Sequence, residues 1–246
     1  MKVIQQLETR MHPDAIAGFR LVIAEARVTD SILLPERAMT RMLGPVLWIL
    51  RRVGPAGIRL TQAGYLPPAV VVAASAEVDW DWPAGANRES NLLPLAELRA
   101  HLTAAGLLRV RKGTLLLTSR GRALATAPRE LWWHLARTIQ VSREPAESDA
   151  ITLLLVLIAR RGFDEADLFT QMLALGLETL GWVAPDGSRL SSDVATTLVA
   201  PKWRLLNHLG VFARTPNDHT HWTITPGGAA FARAALQTDV ETPVND

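Results

Sequence analysis

The chain has 246 residues, enough for one large domain or two modest ones, and its 48% hydrophobic and 20% charged content is that of a packed globular protein. It contains no cysteine, which excludes disulfides, thiolate chemistry and cysteine-ligated zinc. The net charge of +2 is unevenly distributed, because residues 87–122 carry seven basic and two acidic side chains, whereas residues 146–237 carry seven and nine.

The N-terminal residues are predicted to form a helical segment over residues 1–35. Apolar side chains recur at helical spacing between Pro13 and Thr29, which predicts one helix there. Residues 1–8 lack the apolar core of a signal peptide, and no apolar run approaches the ~20 residues of a membrane span. We therefore expect a cytoplasmic protein with no membrane partner, in keeping with the absence of cysteine.

A first folded unit is predicted over residues 36–141, and its first half combines helices with a short strand. Apolar periodicity through Met39, Val46 and Leu50 indicates a helix, which a Gly-Pro-Ala-Gly stretch ends. Two prolines then begin a second helix, since proline is favoured in a first helical turn. In chain order we predict a helix over residues 36–53, a strand over 58–60, a helix over 67–76 and a loop over 79–86.

The second half of this unit is predicted to be a helix followed by a β-hairpin. The helix begins at a cap formed by Ser90 or Asn91 and runs to residue 105, and Gly106 then allows the left-handed conformation that ends many helices. Two short apolar strands follow, joined by a tight turn at Gly113, and the second strand ends in Thr118. After Gly121 the chain returns to helix, and a connecting helix is predicted over residues 128–141.

The same pattern recurs about a hundred residues later, in a second unit predicted over residues 148–237. A helix ends at Gly210, a hairpin with a polar loop follows, and Thr225 and Gly228 precede another helix. Helix, hairpin and helix form the C-terminal half of a winged-helix unit, with the hairpin as the wing. We therefore predict a mainly α fold with short β-hairpins: tandem winged-helix units, an N-terminal helix and a connecting helix. Residues 142–148 are the predicted linker, and residues 238–246 a flexible tail.

Several motifs of the first unit resemble a known group of bacterial proteins. They lie at residues 60–68, 87–89, 106–113, 117–118, 120–124 and 131–136. These residues are similar to the C-terminal region of proteins that often carry an N-terminal domain of the plasmid pRiA4b open-reading-frame-three type. The resemblance covers roughly residues 40–140, and this chain has no counterpart of that N-terminal domain. The resemblance implies relatedness but no particular activity.

Enzyme motifs are absent from the sequence: it has no nucleophile elbow, phosphate-binding loop or His-Glu-x-x-His helix. Asp218, His219 and His221 form the best metal-like cluster, since the two histidines share a strand face, but a polar wing tip is the more ordinary interpretation. The Asp79–Trp82 stretch is either a binding loop or tryptophans folded over a domain edge, and we favour the second. We therefore expect neither an enzyme nor a cofactor; His101, His134 and the His219/His221 pair are where an enzyme would be sought first.

The positive charge of residues 87–122 predicts that the first unit binds double-stranded DNA. The helix before the hairpin occupies the recognition-helix position, which enters the major groove in DNA-binding winged helices. Arg109 and Arg111 share one face of the wing strand by period two and are suited to the phosphate backbone or the minor groove. The predicted nucleic-acid-binding residues are Asn87, Arg88, Arg99, Arg109, Arg111, Lys112, Arg120 and Arg122.

Two features favour an alternative, a winged-helix module that binds protein. Leucines dominate the candidate recognition helix, and Glu89 and Glu97 would repel phosphates. The second unit has a net charge of −2, with only Lys202 and Arg204 on its candidate recognition helix. We therefore expect the second unit and the N-terminal helix to organise an assembly, in the simplest case a homodimer, while the first unit contacts DNA as part of a transcriptional regulator.

Overall fold

A computed structural model describes residues 2–80, 82–83, 85–142, 144–162, 166–184, 186–215 and 218–238. These residues are mainly helical and carry two small antiparallel sheets, which confirms the predicted mainly α class with short hairpins. The chain divides into two compact units, which we call the central unit (Pro35–Leu135) and the terminal unit (residues 2–34 and 136–238). In the described parts of the chain, every helix is too short or too polar to cross a lipid bilayer.

The helices and strands are numbered in chain order. The helices are α1 (Lys2–Arg10), α2 (Pro13–Ala26), α3 (Glu36–Met42), α4 (Gly44–Val53), α5 (Pro68–Glu77), α6 (Leu93–Ala104), α7 (Ser119–Leu124), α8 (Pro128–Thr138), α9 (Pro145–Arg160), α10 (Ala166–Thr179), α11 (Ser192–His208) and α12 (Pro226–Gln237). The strands are β1 (Ile58–Arg59), β2 (Leu108–Arg111), β3 (Thr114–Leu117), β4 (Phe212–Thr215) and β5 (Asp218–Ile224).

The central unit begins with two helices where the sequence predicts one. The periodic stretch from Glu36 to Val53 is broken at Leu43, because Gly44 and Pro45 start α4 as a separate helix and proline is favoured in a first turn. The chain then continues through β1, α5 and α6 to the hairpin of β2 and β3. In the sheet, β3 lies between β1 and β2 and is antiparallel to both.

The start of α6 differs from the predicted one. Neither Ser90 nor Asn91 caps it; both belong to a short 3-10 helix, Glu89–Asn91, and the N-cap position is Leu92, which offers no side-chain cap. Pro94 in the first turn compensates in part, since proline has no N–H to leave unsatisfied there. Helix α6 is therefore capped one or two residues later than predicted.

The junction of helix, hairpin and helix in the central unit is held by one threonine. Thr118 caps α7 by accepting the Gly121 N–H at 2.9 Å, and its hydroxyl donates to the Gly106 carbonyl at 2.7 Å. Gly121 also packs against the hairpin, so that a Cβ there would lie 2.1 Å from the Leu107 carbonyl oxygen. The threonine thus ties the end of α6 to the start of α7, and the glycine lets them approach.

The terminal unit repeats these contacts with its own residues. Thr225 caps α12 by accepting the Gly228 N–H at 2.9 Å, and its hydroxyl donates to the Gly210 carbonyl at 2.9 Å. A Cβ at Gly228 would lie 2.6 Å from the Val211 carbonyl oxygen. The internal repeat in the sequence therefore corresponds to a repeated set of contacts around each hairpin, although the terminal sheet consists of β4 and β5 alone among the described strands.

The terminal unit is organised around α9, whose residues 149–159 are all buried. Helices α2, α10, α11 and α12 pack on α9, and the N-terminal residues 2–34 belong to this unit rather than forming one of their own. Asp149 is buried near the start of α9 and accepts two hydrogen bonds from Arg10, at 2.6 and 3.0 Å, and one from Trp182 Nε1 at 2.8 Å. These hydrogen bonds hold α1 and the segment after α10 against α9.

One boundary in the terminal unit differs from the prediction. The stretch predicted as a linker over residues 142–148 is shorter, because α9 already begins at Pro145, again a proline in a first helical turn. Helix α11 contains Pro201 in its interior, although proline there removes a backbone hydrogen bond. Of the predicted flexible tail, residues 238–246, the structure describes only Thr238, the C-cap of α12. Pro216 and Asn217 of the predicted polar loop lie outside the described residues.

Candidate nucleic-acid interface

Three arginines lie on one face of the central sheet. Arg59 of β1 and Arg111 of β2 are both paired with Thr114 of the middle strand, and Arg109 is paired with Leu116. Residues directly opposite each other in an antiparallel sheet project to the same side, as do residues two apart in one strand. Arg59, Arg109 and Arg111 therefore share a face, and all three are exposed to solvent.

The opposite face of this sheet is apolar and buried. Ile58, Leu108, Leu115 and Leu117 alternate with the outward residues and are each less than 9% exposed, whereas Val110 near the hairpin turn lies on the same face but is 52% exposed. Burial of these side chains fixes the register, since a slip of one residue would turn the leucines outward and the arginines inward. The core of the unit thus determines that the arginines face solvent.

The turn between β2 and β3 adds a fourth cation to this face. Lys112 and Gly113 form a two-residue turn with φ of 50° and 70°, the left-handed values that a tight type I′ hairpin turn requires. Arg59 donates from Nη1 to the Lys112 carbonyl at 2.7 Å and thereby links the edge strand β1 to the turn. We call Arg59, Arg109, Arg111 and Lys112 the arginine face.

No carboxylate among the described residues forms an ion pair with a member of the arginine face. The central unit has thirteen Lys and Arg residues against seven Asp and Glu residues, a formal charge of +6, although the whole chain is only +2. Clustered cations without anionic partners attract polyanions and accumulate counterions that binding can release. The arrangement is thus chemically suited to phosphate groups.

Arg99, by contrast, forms an ion pair with a buried carboxylate inside the central unit. Its Nε donates to Glu89 Oε1 at 2.6 Å, and Glu89 is only 1% exposed. The other carboxylate oxygen of Glu89 accepts the Leu66 backbone N–H at 2.7 Å. Arg99 was predicted to contact DNA, but because it compensates the buried Glu89 carboxylate we leave it out of the interface. Since Glu89 is buried and paired with Arg99, it does not repel phosphates at the surface in the way that the sequence suggested.

The other predicted contact residues are exposed but less clearly grouped. Asn87 and Arg88 precede the 3-10 helix, and Arg120 lies in the first turn of α7. Arg122 is held in place, since its Nη1 donates to the Leu117 carbonyl at 3.1 Å. All four remain candidates for contacts beside the arginine face, and no hydrogen bond described here joins them to it.

The exposed side chains of α6 include few hydrogen-bond donors or acceptors that could contact base edges. Its exposed residues are Leu93, Ala100, Thr103 and Ala104. Arg99 is engaged with Glu89, and the Thr103 hydroxyl donates to the Arg99 carbonyl within the helix. Base edges are read by side chains that carry donors and acceptors, so this helix is poorly equipped for direct readout of sequence.

The tryptophans of the Asp79–Trp82 stretch close over their own unit. Trp80 is buried and donates from Nε1 to the Ala74 carbonyl at 2.8 Å, and Trp82 donates to the Asn91 carbonyl at the same distance. They therefore tie the loop to α5 and to the 3-10 helix before α6, as expected for tryptophans that cover a domain edge. Asp81 lies outside the described residues.

Among the described side chains, the histidines considered for metal binding or catalysis form no cluster with other metal-ligating residues. The side chains of Asp218, His219 and His221 lie outside the described residues. His134 is buried, with Nε2 2.8 Å from the Ala105 carbonyl, a contact that ties α8 to the end of α6. Within the described part of the chain, no three His, Asp or Glu residues are close enough together to hold a metal ion.

Residues 38–130 match the family model described as the Y4jL N-terminal domain. This stretch spans most of the central unit and contains all four residues of the arginine face. No curated protein and no solved structure matches the chain.

Proposed function

We propose that this protein binds double-stranded DNA through its central unit, with the arginine face against the phosphate backbone. The observation that carries the proposal is the convergence of Arg59, Arg109 and Arg111 on one sheet face, with Lys112 at the adjoining turn and no carboxylate partner among the described residues. Such a face neutralises several phosphates at once, and the release of their counterions provides the binding free energy.

The arrangement of the central unit supports a winged-helix interpretation. From α4 onward the elements follow the order helix, strand, helix, helix, strand, strand, and the sheet order is β1-β3-β2. In this interpretation β2 and β3 form the wing, and the arginine face combines the wing with the edge strand beside it. The contacts of Thr225 and Gly228, which match those of Thr118 and Gly121, support a second unit of related design.

The mode of binding that we propose relies on the backbone more than on the bases. Contacts to phosphates fix a protein on DNA without specifying sequence, whereas specificity needs side chains at base edges. The exposed side chains of α6 are apolar or small, so we expect weak discrimination between sequences. In a transcriptional regulator of this kind, the terminal unit would provide the assembly, and we propose a homodimer, to be tested by light scattering after gel filtration.

The test is fluorescence anisotropy with a labelled random-sequence duplex at low salt. Arg109→Gln/Arg111→Gln removes two charges from the arginine face, and we expect roughly a tenfold loss of affinity. The matched control is Arg20→Gln/Arg189→Gln, which removes two exposed arginines of the terminal unit and should bind as the parent does. No binding by the parent protein, or equal losses in the two double variants, would refute the proposal.

A protein-binding role of the central unit is the second candidate, and the surface of α6 favours it. Leu93 is 41% exposed, and Ala100 and Ala104 are exposed on the same side of the helix, with the partly exposed Glu97 between them. This face is thus mainly apolar, and its one charge is negative. Ala100→Glu would disrupt a protein contact there but would leave phosphate binding by the arginine face intact. Loss of DNA affinity in Ala100→Glu equal to that of the Arg109/Arg111 variant would instead assign α6 to the DNA interface.

A further inference from the structure

The terminal unit contains a groove between α2 and α10, and both of these helices pack on α9. Its volume is about 700 Å³, within the range of about 300–1,000 Å³ that is usual for small-molecule sites. The walls are apolar: Phe19 and Val22 come from α2, Leu153 from α9, and Met172 and Leu175 from α10. Methionine side chains adapt to ligands of different shape, which suits a site for apolar molecules.

A glycine in the middle of α2 leaves the groove open. Gly18 lines it, and a Cβ at this position would meet no other atom within 4 Å. Glycine inside a helix costs about 1 kcal/mol relative to alanine, and here no neighbouring atom requires it. Gly176 on the opposite wall differs, because a Cβ there would come within 3.0 Å of Leu153 Cδ1. Position 18 therefore has room for a side chain but carries none. The unfilled space at this position is part of the groove.

The charged groups at the groove are acidic. Asp14 and Glu178 line it, and none of the described lining residues is lysine or arginine. The Glu178 carboxylate is paired with Arg189 at 2.8 Å. The Asp14 side chain is 92% exposed, and the His12 ring lies 3.6 Å from its carboxylate. A ligand that enters with a positive head group would meet the Asp14 carboxylate, whereas an anionic head group would be repelled by it.

We propose that this groove binds an amphipathic organic cation, with its apolar body between α2 and α10 and its cationic head beside Asp14. The proposal does not depend on DNA binding, since every residue that carries it lies in the terminal unit and the arginine face lies in the central unit. The apolar walls supply most of the affinity, because burial of hydrocarbon is the main favourable contribution in such sites. Asp14 supplies the preference for charge.

The test is isothermal titration calorimetry of the full chain with decyltrimethylammonium and with decanoate, each below its critical micelle concentration. The two ligands share an alkyl chain and differ in the sign of the head group. We expect saturable binding of the cation and about fivefold weaker binding of the anion, the factor that one exposed charge pair provides. Asp14→Asn should abolish this difference.

Variants that fill the groove complete the test. Gly18→Trp should weaken cation binding by at least about tenfold, because the indole occupies the space of the alkyl chain. Gly18→Ala is the matched control and should bind as the parent does. Ala15→Leu, one helical turn earlier on the same wall, is a second filling variant in case the tryptophan disturbs folding, which circular dichroism would reveal.

Three results would overturn the proposal. The first is decanoate binding as tight as that of the cation, or no saturable heat with either ligand. The second is unchanged cation binding in a correctly folded Gly18→Trp or Ala15→Leu variant. The third is a parent dimer that becomes monomeric in Gly18→Trp while neither ligand binds, which would assign the groove to a second copy of the chain.

Discussion

Arg99 provides the clearest separation of a structural role from a binding role. Arg99→Ala leaves the Glu89 carboxylate, which is 1% exposed, with the Leu66 N–H at 2.7 Å as its remaining described donor. Removing one partner of a buried ion pair costs about 3–5 kcal/mol, and because the Arg99 side chain is 20% exposed we take the lower end, about 3 kcal/mol. The corresponding fall in melting temperature is roughly 6–12 °C for a cooperative unit of 150 to 250 residues.

Calorimetry and urea denaturation measure this loss, and Arg88→Ala is the matched control. Arg88 is exposed and lies next to Glu89 in the chain, so its replacement should change the free energy of unfolding by no more than about 0.5 kcal/mol. Glu89→Gln/Arg99→Met removes both charges together and should recover part of the loss. DNA affinity of the folded Arg99→Ala protein should be unchanged. Equal stability of the Arg99 and Arg88 variants would refute the structural assignment.

Three further predictions concern stability. Asp149→Ala removes the acceptor of Arg10 and Trp182 and should cost about 2 kcal/mol in urea denaturation, since the Arg10 side chain that loses its partner is 45% exposed. A loss below about 0.5 kcal/mol would contradict the network. Gly121→Ala and Gly228→Ala place a Cβ 2.1 and 2.6 Å from a carbonyl oxygen, and each should lower the free energy of unfolding by more than about 2 kcal/mol. Gly18→Ala places its Cβ in open space and should stabilise the protein by up to about 1 kcal/mol. Equal effects at the three positions would contradict the close approach at Gly121 and Gly228. Hydrogen bonds from Arg189 hold the pKa of Glu178 below its usual value, so its contribution to stability is present above about pH 4.3 and is lost as the pH falls through the lowered pKa. Parent and Glu178→Gln should therefore differ in stability at about pH 7 and converge as the medium is acidified, and a difference that grows on acidification would contradict this sign.

Local patterns predicted much of what is local in this fold. Period-two alternation placed Arg109 and Arg111 together, and the sheet register has them on one face. Glycine and threonine at matching offsets indicated the junctions at Thr118 and Thr225, whose contacts are the same in both units. These features depend on residues close together in the chain, where backbone geometry leaves few alternatives.

Features that depend on distant residues were missed. Arg59 joins the arginine face only because β1 pairs with β3, more than fifty residues later, and the alternation of Ile58, Arg59 and Leu60 was the one available signal. Arg99 was predicted to face DNA, since nothing in its helical position shows that Glu89 is buried within reach. Helix α1 was missed as well; it is short, and its stability depends on packing and on the Arg10 contact with Asp149 rather than on its own periodicity.

The dependence of DNA affinity on salt tests the arginine face most directly. Each phosphate contact contributes about −0.9 to the slope of log K against log salt concentration for duplex DNA. We predict a linear dependence for the parent protein and a slope shallower by about 1.8 for Arg109→Gln/Arg111→Gln, with the Arg20→Gln/Arg189→Gln control unchanged. A parent affinity that does not vary with salt, or a slope unaltered in the Arg109/Arg111 variant, would contradict the assignment of this face to the DNA backbone.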